Sequence, residues 1–62
     1  MYEVCTKRRG EKRSKGNGFQ TDNIERAKDI AMRERKSWWG QNGVYDWIKV
    51  KDKETKKYVF EA

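Results

Sequence analysis

The chain opens on alternation. In MYEVCTKR, Tyr2, Val4 and Thr6 point to one side while Glu3, Cys5 and Lys7 point to the other, the period-two pattern of a half-buried strand. Residues 7–18 contain no large apolar side chain, and Gly10, Gly16 and Gly18 supply turn positions. This segment reads as a loop, after which Phe19 and Gln20 can add a short extended piece pairing back on the first strand. From Thr21 to Gly40 the period becomes helical. Ile24, Ala27, Ala31 and Trp38 fall on one stripe at about 100° per residue, with Ile30 on one side of it and Met32 and Trp39 on the other. Thr21 or Asp22 is the expected N-cap, and Asp22 with Glu25 has capping-box spacing. Asp22, Glu25 and Asp29 lie early and Arg33, Arg35 and Lys36 late, an order that suits the helix dipole. Asp22–Arg26 and Asp29–Arg33 are i,i+4 pairs, and Gly40 is the natural stop.

Val44 to Lys51 alternates again, and Tyr58 to Glu61 forms a second β-prone run beyond the polar DKETKK. The two read as a hairpin whose register has two solutions. A three-residue loop at 53–55 sets Val50 opposite Tyr58 and Ile48 opposite Phe60, all facing the helix. A four-residue loop at 53–56 sets Val50 opposite Val59. Tyr45, Trp47, Tyr58 and Phe60 then share the open face with Lys49 and Lys51. One residue of slip exchanges the faces. The first register builds a core; the second builds an aromatic, basic platform suited to stacking on single-stranded bases.

Composition favours the first. The 62 residues make one domain, 1–62, and the chain has no leucine. Its branched aliphatics are Val4, Ile24, Ile30, Val44, Ile48, Val50 and Val59. The aromatics are therefore expected to fill much of the interior. A chain this short buries only about 60% of its unfolded surface. Cys5 is the single cysteine and histidine is absent, so neither an internal disulfide nor a common four-ligand zinc site is available.

Charge is concentrated. Lys7, Arg8, Arg9, Lys12, Arg13 and Lys15 against Glu11 give residues 7–18 all but one unit of the formal +6. A localised positive block attracts polyanions, and the attraction falls with salt. In a mobile basic loop, lysine and arginine can follow a phosphate backbone. The competing reading is a solvated loop that keeps a small protein soluble.

Catalysis has little support. General acid–base work most often uses histidine, and the helix carboxylates Asp22, Glu25, Asp29 and Glu34 stand among lysines and arginines. Cys5 has a lysine nearby but no histidine base. The glycines of GEKRSKGNG do not have the P-loop spacing. Trp39, at the edge of the helix stripe, is a candidate protein-contact anchor; the competing reading packs both Trp38 and Trp39 against the sheet.

The hairpin VKDKETKKYVFEA, following IERAKDIA, resembles small phage-encoded accessory proteins. Ala27 and Ala31 match an A-x-x-x-A helix, and Asp52, Glu54 and Thr55 match a D-x-E-T turn. The similarity spans residues 24–62; the basic loop and the paired tryptophans depart from it. It implies a small β-α-β-β unit that acts by binding, to a host enzyme or to nucleic acid.

The expected fold is α+β, one helix on a three-stranded antiparallel sheet, with room for a short extra strand near Phe19. The expected function is non-enzymatic binding of DNA or RNA with little sequence specificity. Lys7, Arg8, Arg9, Lys12, Arg13 and Lys15 would contact phosphates, and Lys49, Lys51 and Trp47 would extend the surface. The alternative is a phage-type modulator of a host protein. No cofactor or metal is expected. A homodimer through an exposed sheet edge is compatible with this topology. No apolar run approaches a membrane span, Met1 leads into a strand and not a signal peptide, and one free cysteine suits a cytoplasmic, reducing location.

Overall fold

A computed structural model describes all residues, 1–62. The element order is β1 (Tyr2–Arg8), β2 (Lys15–Thr21), α1 (Ile24–Lys36), α2 (Trp38–Gln41), β3 (Tyr45–Asp52) and β4 (Lys57–Glu61). The fold is α+β, with one antiparallel sheet in the order β2-β1-β3-β4 and α1 across one face. The sheet has four strands: β2 stands where a short extra strand was expected near Phe19, but it is longer and reaches back to Lys15. Much of the expected basic loop is strand: Lys7 and Arg8 close β1, Lys15 to Gly18 open β2, and only residues 9–14 turn. Period two is a poor guide to β2, because Lys15, Gly16, Asn17 and Gly18 have no apolar face. Its pairing with β1 also jumps from Glu3↔Gln20 to Cys5↔Gly16. The extra residues are taken up where Gly18 adopts φ +89° and the Asn17 side chain accepts from the Phe19 N–H.

The helix is shorter than the sequence pattern suggests, and its ends differ from the expected ones. Thr21 belongs to β2, and Asn23 is the N-cap, accepting from the N–H groups of Glu25 and Arg26. Asp29–Arg33 forms at 3.1 Å, while Asp22 lies before the helix and faces the N-terminal ammonium at 3.9 Å. At the other end Ser37 breaks the helix. It leaves helical conformation, its hydroxyl donates to the Glu34 carbonyl, and the same oxygen accepts from Gly40 N–H. The one side chain closes α1 and caps α2. The phase is therefore reset at residue 37. Trp38, expected on the buried stripe, is 66% exposed, and Trp39 is 50% exposed.

The core is small. Val4, Ile48 and Val50 of the sheet and Ala27 and Ala31 of α1 are fully buried, and Tyr45 is nearly so. Two alanines on the buried stripe let the helix lie close to the sheet, so a leucine-free chain can still fill this space. Tyr2, Phe19 and Phe60 pack around it half-buried. The charged side chains of α1 cover the outer rings, with Arg26 over Phe19 at 5.9 Å and Lys28 over Phe60 at 5.6 Å. The expectation that aromatics fill the interior holds in part: Tyr45 is in the core and Tyr2, Phe19 and Phe60 pack against it, while Trp38, Trp39 and Tyr58 stay exposed.

Neither hairpin register expected from the sequence holds along its whole length. A four-residue turn, 53–56, joins Asp52↔Lys57 and Lys51↔Tyr58, and then the register shifts to Val50↔Phe60 and Lys49↔Glu61. Val59 is the extra residue. The bulge sends Tyr58 to the open face and Phe60 to the core, combining half of each expected register. A second bulge at Asp46, between Lys7↔Trp47 and Arg8↔Tyr45, turns Tyr45 inward while Trp47 stays on the open face. Both edge strands, β2 and β4, carry irregular pairing, a feature that weighs against edge-to-edge dimers. No helix is long and apolar enough to cross a membrane.

Candidate nucleic-acid interface

Beyond the Asp46 bulge, odd-numbered residues 3–7 of β1 and 47–51 of β3 face away from α1. The uncovered side of the sheet therefore presents Glu3, Cys5 and Lys7 beside Trp47, Lys49 and Lys51, with Tyr58 and Glu61 from β4. Trp47 and Tyr58 meet edge-to-face at 5.4 Å between ring centroids. The Lys49 ammonium stands 4.6 Å from the Trp47 ring centre and 5.1 Å from that of Tyr58. Lysine over two aromatic rings is a cation–π arrangement, and the group offers π-faces and positive charge on one surface. Lys49 also reaches Glu61 at 3.8 Å, and Lys7 is paired with Asp46. Both are surface pairs, with the Asp46 carboxylate 40% and the Glu61 carboxylate 62% exposed, and such pairs contribute little to stability.

Other cations have no such partner. Arg8, Arg9, Lys12, Arg13, Lys15 and Lys51 take part in no ion pair. Glu3, the natural candidate to neutralise Lys51, is engaged elsewhere: its carboxylate accepts from the Gln20 amide at 3.2 Å and lies over Gly16. The sequence reading missed Lys53, Lys56 and Lys57 at the β3–β4 turn, all exposed and also unpaired. Because β1 and β3 are antiparallel, the β1–β2 and β3–β4 turns lie at opposite ends of the sheet. Seven strand residues separate them, about 23 Å, with Trp47, Lys49 and Tyr58 between. The run KDKETKK contained this signal, but it reads first as turn chemistry.

The expected site residues do not form one cluster. Lys7, Trp47, Lys49 and Lys51 share the open face. Lys12 and Arg13 are exposed at the first turn. Arg9 folds over Gly43, 3.4 Å from where a Cβ would stand. Arg8 and Lys15 line an open cavity of about 480 Å³ on the helix side, together with Glu34, Trp39 and Tyr45. Arg8 lies over the Trp39 ring at 5.9 Å, and Trp39 meets Trp38 edge-to-face at 5.2 Å.

Two groups on this framework hold their protons unusually tightly. Burial, reinforced by the Glu3 carboxylate, pushes the Cys5 thiol up to about 11. Burial and the hydrogen bond from its hydroxyl to Glu34 push Tyr45 up to about 12. Both raised values act in one direction. The unfolded chain loses these protons first as pH rises, so their contribution is complete below about pH 9 and is lost progressively toward pH 12. The urea midpoint should therefore fall as pH rises from 8 to 10.5, and Cys5→Ala with Tyr45→Phe should flatten that fall. An unchanged slope in the double variant would remove these groups as its cause. Cys5 should also react slowly with a thiol reagent at pH 8, since the thiolate is the nucleophile.

No protein-family model matches the chain, and no curated protein or solved structure is significantly similar to it.

Proposed function

We propose that this is a small, non-enzymatic protein that binds single-stranded nucleic acid across the open face of its sheet. The observation that carries the reading is the Trp47–Lys49–Tyr58 group lying between two turns rich in unpaired cations. Phosphates would meet Arg9, Lys12 and Arg13 at one end and Lys53, Lys56 and Lys57 at the other. Bases would stack on Trp47 and Tyr58, a mode that tolerates sequence because every base has a π-face. A duplex cannot present its bases this way, so single strands are favoured over double strands. The tightly held proton on Cys5 makes that thiol a poor nucleophile.

Fluorescence anisotropy with labelled single- and double-stranded oligonucleotides tests this. Trp47→Ala should weaken single-strand binding about 10- to 100-fold, from stacking worth about 1–3 kcal/mol per base. Arg9, Lys12 and Arg13 changed together to serine should flatten the dependence of affinity on salt, since each phosphate contact adds to that slope. Equal binding of duplex and single strand, unaffected by Trp47→Ala, would sink the platform. If no oligonucleotide binds even at low salt, the exposed Trp38–Trp39 pair makes the second reading the one to take up, a modulator that docks on a host protein through these rings.

A further inference from the structure

The helix-side cavity lies off the stacking platform, and its chemistry differs from a plain cationic surface. It has a volume of about 480 Å³, within the range of small-molecule sites. Three kinds of group converge there. Trp39 is an aromatic wall, half exposed. Arg8 and Lys15 are cations without ion pairs. Glu34 is a half-buried carboxylate on the last turn of α1, and Glu11, from the β1–β2 turn, is a second half-buried carboxylate on the lining; only Glu34 is oriented by a hydrogen bond from within the cavity. The Tyr45 hydroxyl donates to Glu34 Oε1, which fixes the direction of the carboxylate. That bond uses one of roughly four lone-pair positions, so Glu34 can still accept from a ligand.

We infer that this cavity takes one unpaired guanine of the bound strand, stacked on Trp39, with its Watson–Crick edge on Glu34 and its phosphate toward Arg8 and Lys15. Guanine is selected by the carboxylate. It alone among the four bases presents two adjacent N–H donors, the ring N1–H and the exocyclic amino group, to an acceptor-only partner. Adenine and cytosine each set a ring acceptor against the carboxylate, and uracil flanks its single N–H with two carbonyls. Unstacked bases held on aromatic rings and read along this edge are a common mode of single-strand recognition. Arg8, already over the Trp39 ring at 5.9 Å, can move from the indole to the incoming phosphate. The cavity lies beside the β1–β2 hairpin, whose turn carries Lys12 and Arg13, so a strand leaving the open face at that end reaches it. The assignment rests on the nucleic-acid reading and adds a base preference to an otherwise tolerant surface.

Isothermal titration with the 5′-monophosphates of guanosine, adenosine, cytidine and uridine is the test, on the native protein and on Trp39→Ala and Glu34→Gln. Glu34→Gln keeps an acceptor for Tyr45 but offers guanine an amide in place of one oxygen. The expected result is that guanosine monophosphate binds at least tenfold more tightly than the other three. Glu34→Gln should level the four, and Trp39→Ala should weaken all of them. Circular dichroism of both variants confirms that they are folded. Equal affinity for the four nucleotides, or a guanine preference indifferent to Glu34→Gln, overturns the assignment. Anisotropy with an oligothymidylate separates this failure from failure of the platform. Binding lost in Trp47→Ala but kept in Trp39→Ala, alongside a negative titration, removes the guanine pocket alone.

Discussion

Gly40→Ala is expected to cost about 3 kcal/mol, the upper part of the range for forcing extra atoms into a packed site. Gly40 is buried in the short α2 turn, and a Cβ there would overlap the carbonyl oxygens of Arg35 and Glu34, the latter at 2.5 Å. These are backbone atoms of α1, which no rotamer change can move aside. In a domain of this size such a loss lowers the thermal midpoint by roughly 12–24 °C. Gly10→Ala is the control. Gly10 has φ +88° but open space around it, so only conformational strain of about 1–2 kcal/mol applies. Thermal denaturation of the two variants beside the native protein decides the matter. Equal, small shifts would mean that α2 can lift away from α1 without consequence. The expected large shift for Gly40 would show that α2 is held tightly against the end of α1 at the Ser37 break.

The second large effect belongs to Ile48→Ala. Ile48 is fully buried at the centre of the sheet, and truncation of a buried isoleucine costs about 2–5 kcal/mol through lost burial and the cavity left behind. Domains have about 0.05–0.15 kcal/mol of stability per residue, so this one change approaches the whole reserve. Loss of amide dispersion in a proton–nitrogen spectrum at 25 °C is the expected sign. Val59→Ala removes a similar side chain from the bulge of β4, where 43% of the residue is exposed. It should shift the urea midpoint by no more than about 0.5 kcal/mol in equivalent stability. A well-dispersed spectrum for Ile48→Ala would mean that Val4 and Val50 suffice to hold the two central strands together.

Where patterns were strong, they survived folding. The alternation in Tyr2–Lys7 and Val44–Lys51 marked β1 and β3, and the Ala27–Ala31 stripe marked the face of α1 that is buried. The polar run 53–56 marked the turn. Three features were hidden for distinct reasons. β2 carries glycine and polar residues where a strand signal should be, because its first half sits at the sheet edge with little to bury. Ser37 ends a helix whose charge pattern and apolar stripe run straight through it; its effect comes from a hydroxyl that bonds in two directions. The bulges at Asp46 and Val59 belong to pairing between strands, which no single strand's period contains. The candidate surface was legible as two pieces, the basic stretch and the Trp47–Lys49–Lys51 alternation. That Tyr58 joins it while Phe60 does not follows from the Val59 bulge alone.

The bulge in β4 also decides how freely this protein can vary. Neighbouring positions of one short strand answer to different demands: Phe60 packs against the core, whereas Tyr58 stands beside Trp47 on the far side of the sheet. The layer of backbone between them makes the two nearly independent, as is usual for residues without shared partners. Substitutions at Trp47, Lys49, Lys51 and Tyr58 can therefore accumulate while the α1-facing positions stay constant. Such a wall makes the protein a ready scaffold for selecting new binding surfaces, with Trp47, Lys49, Lys51 and Tyr58 randomised and the core left untouched.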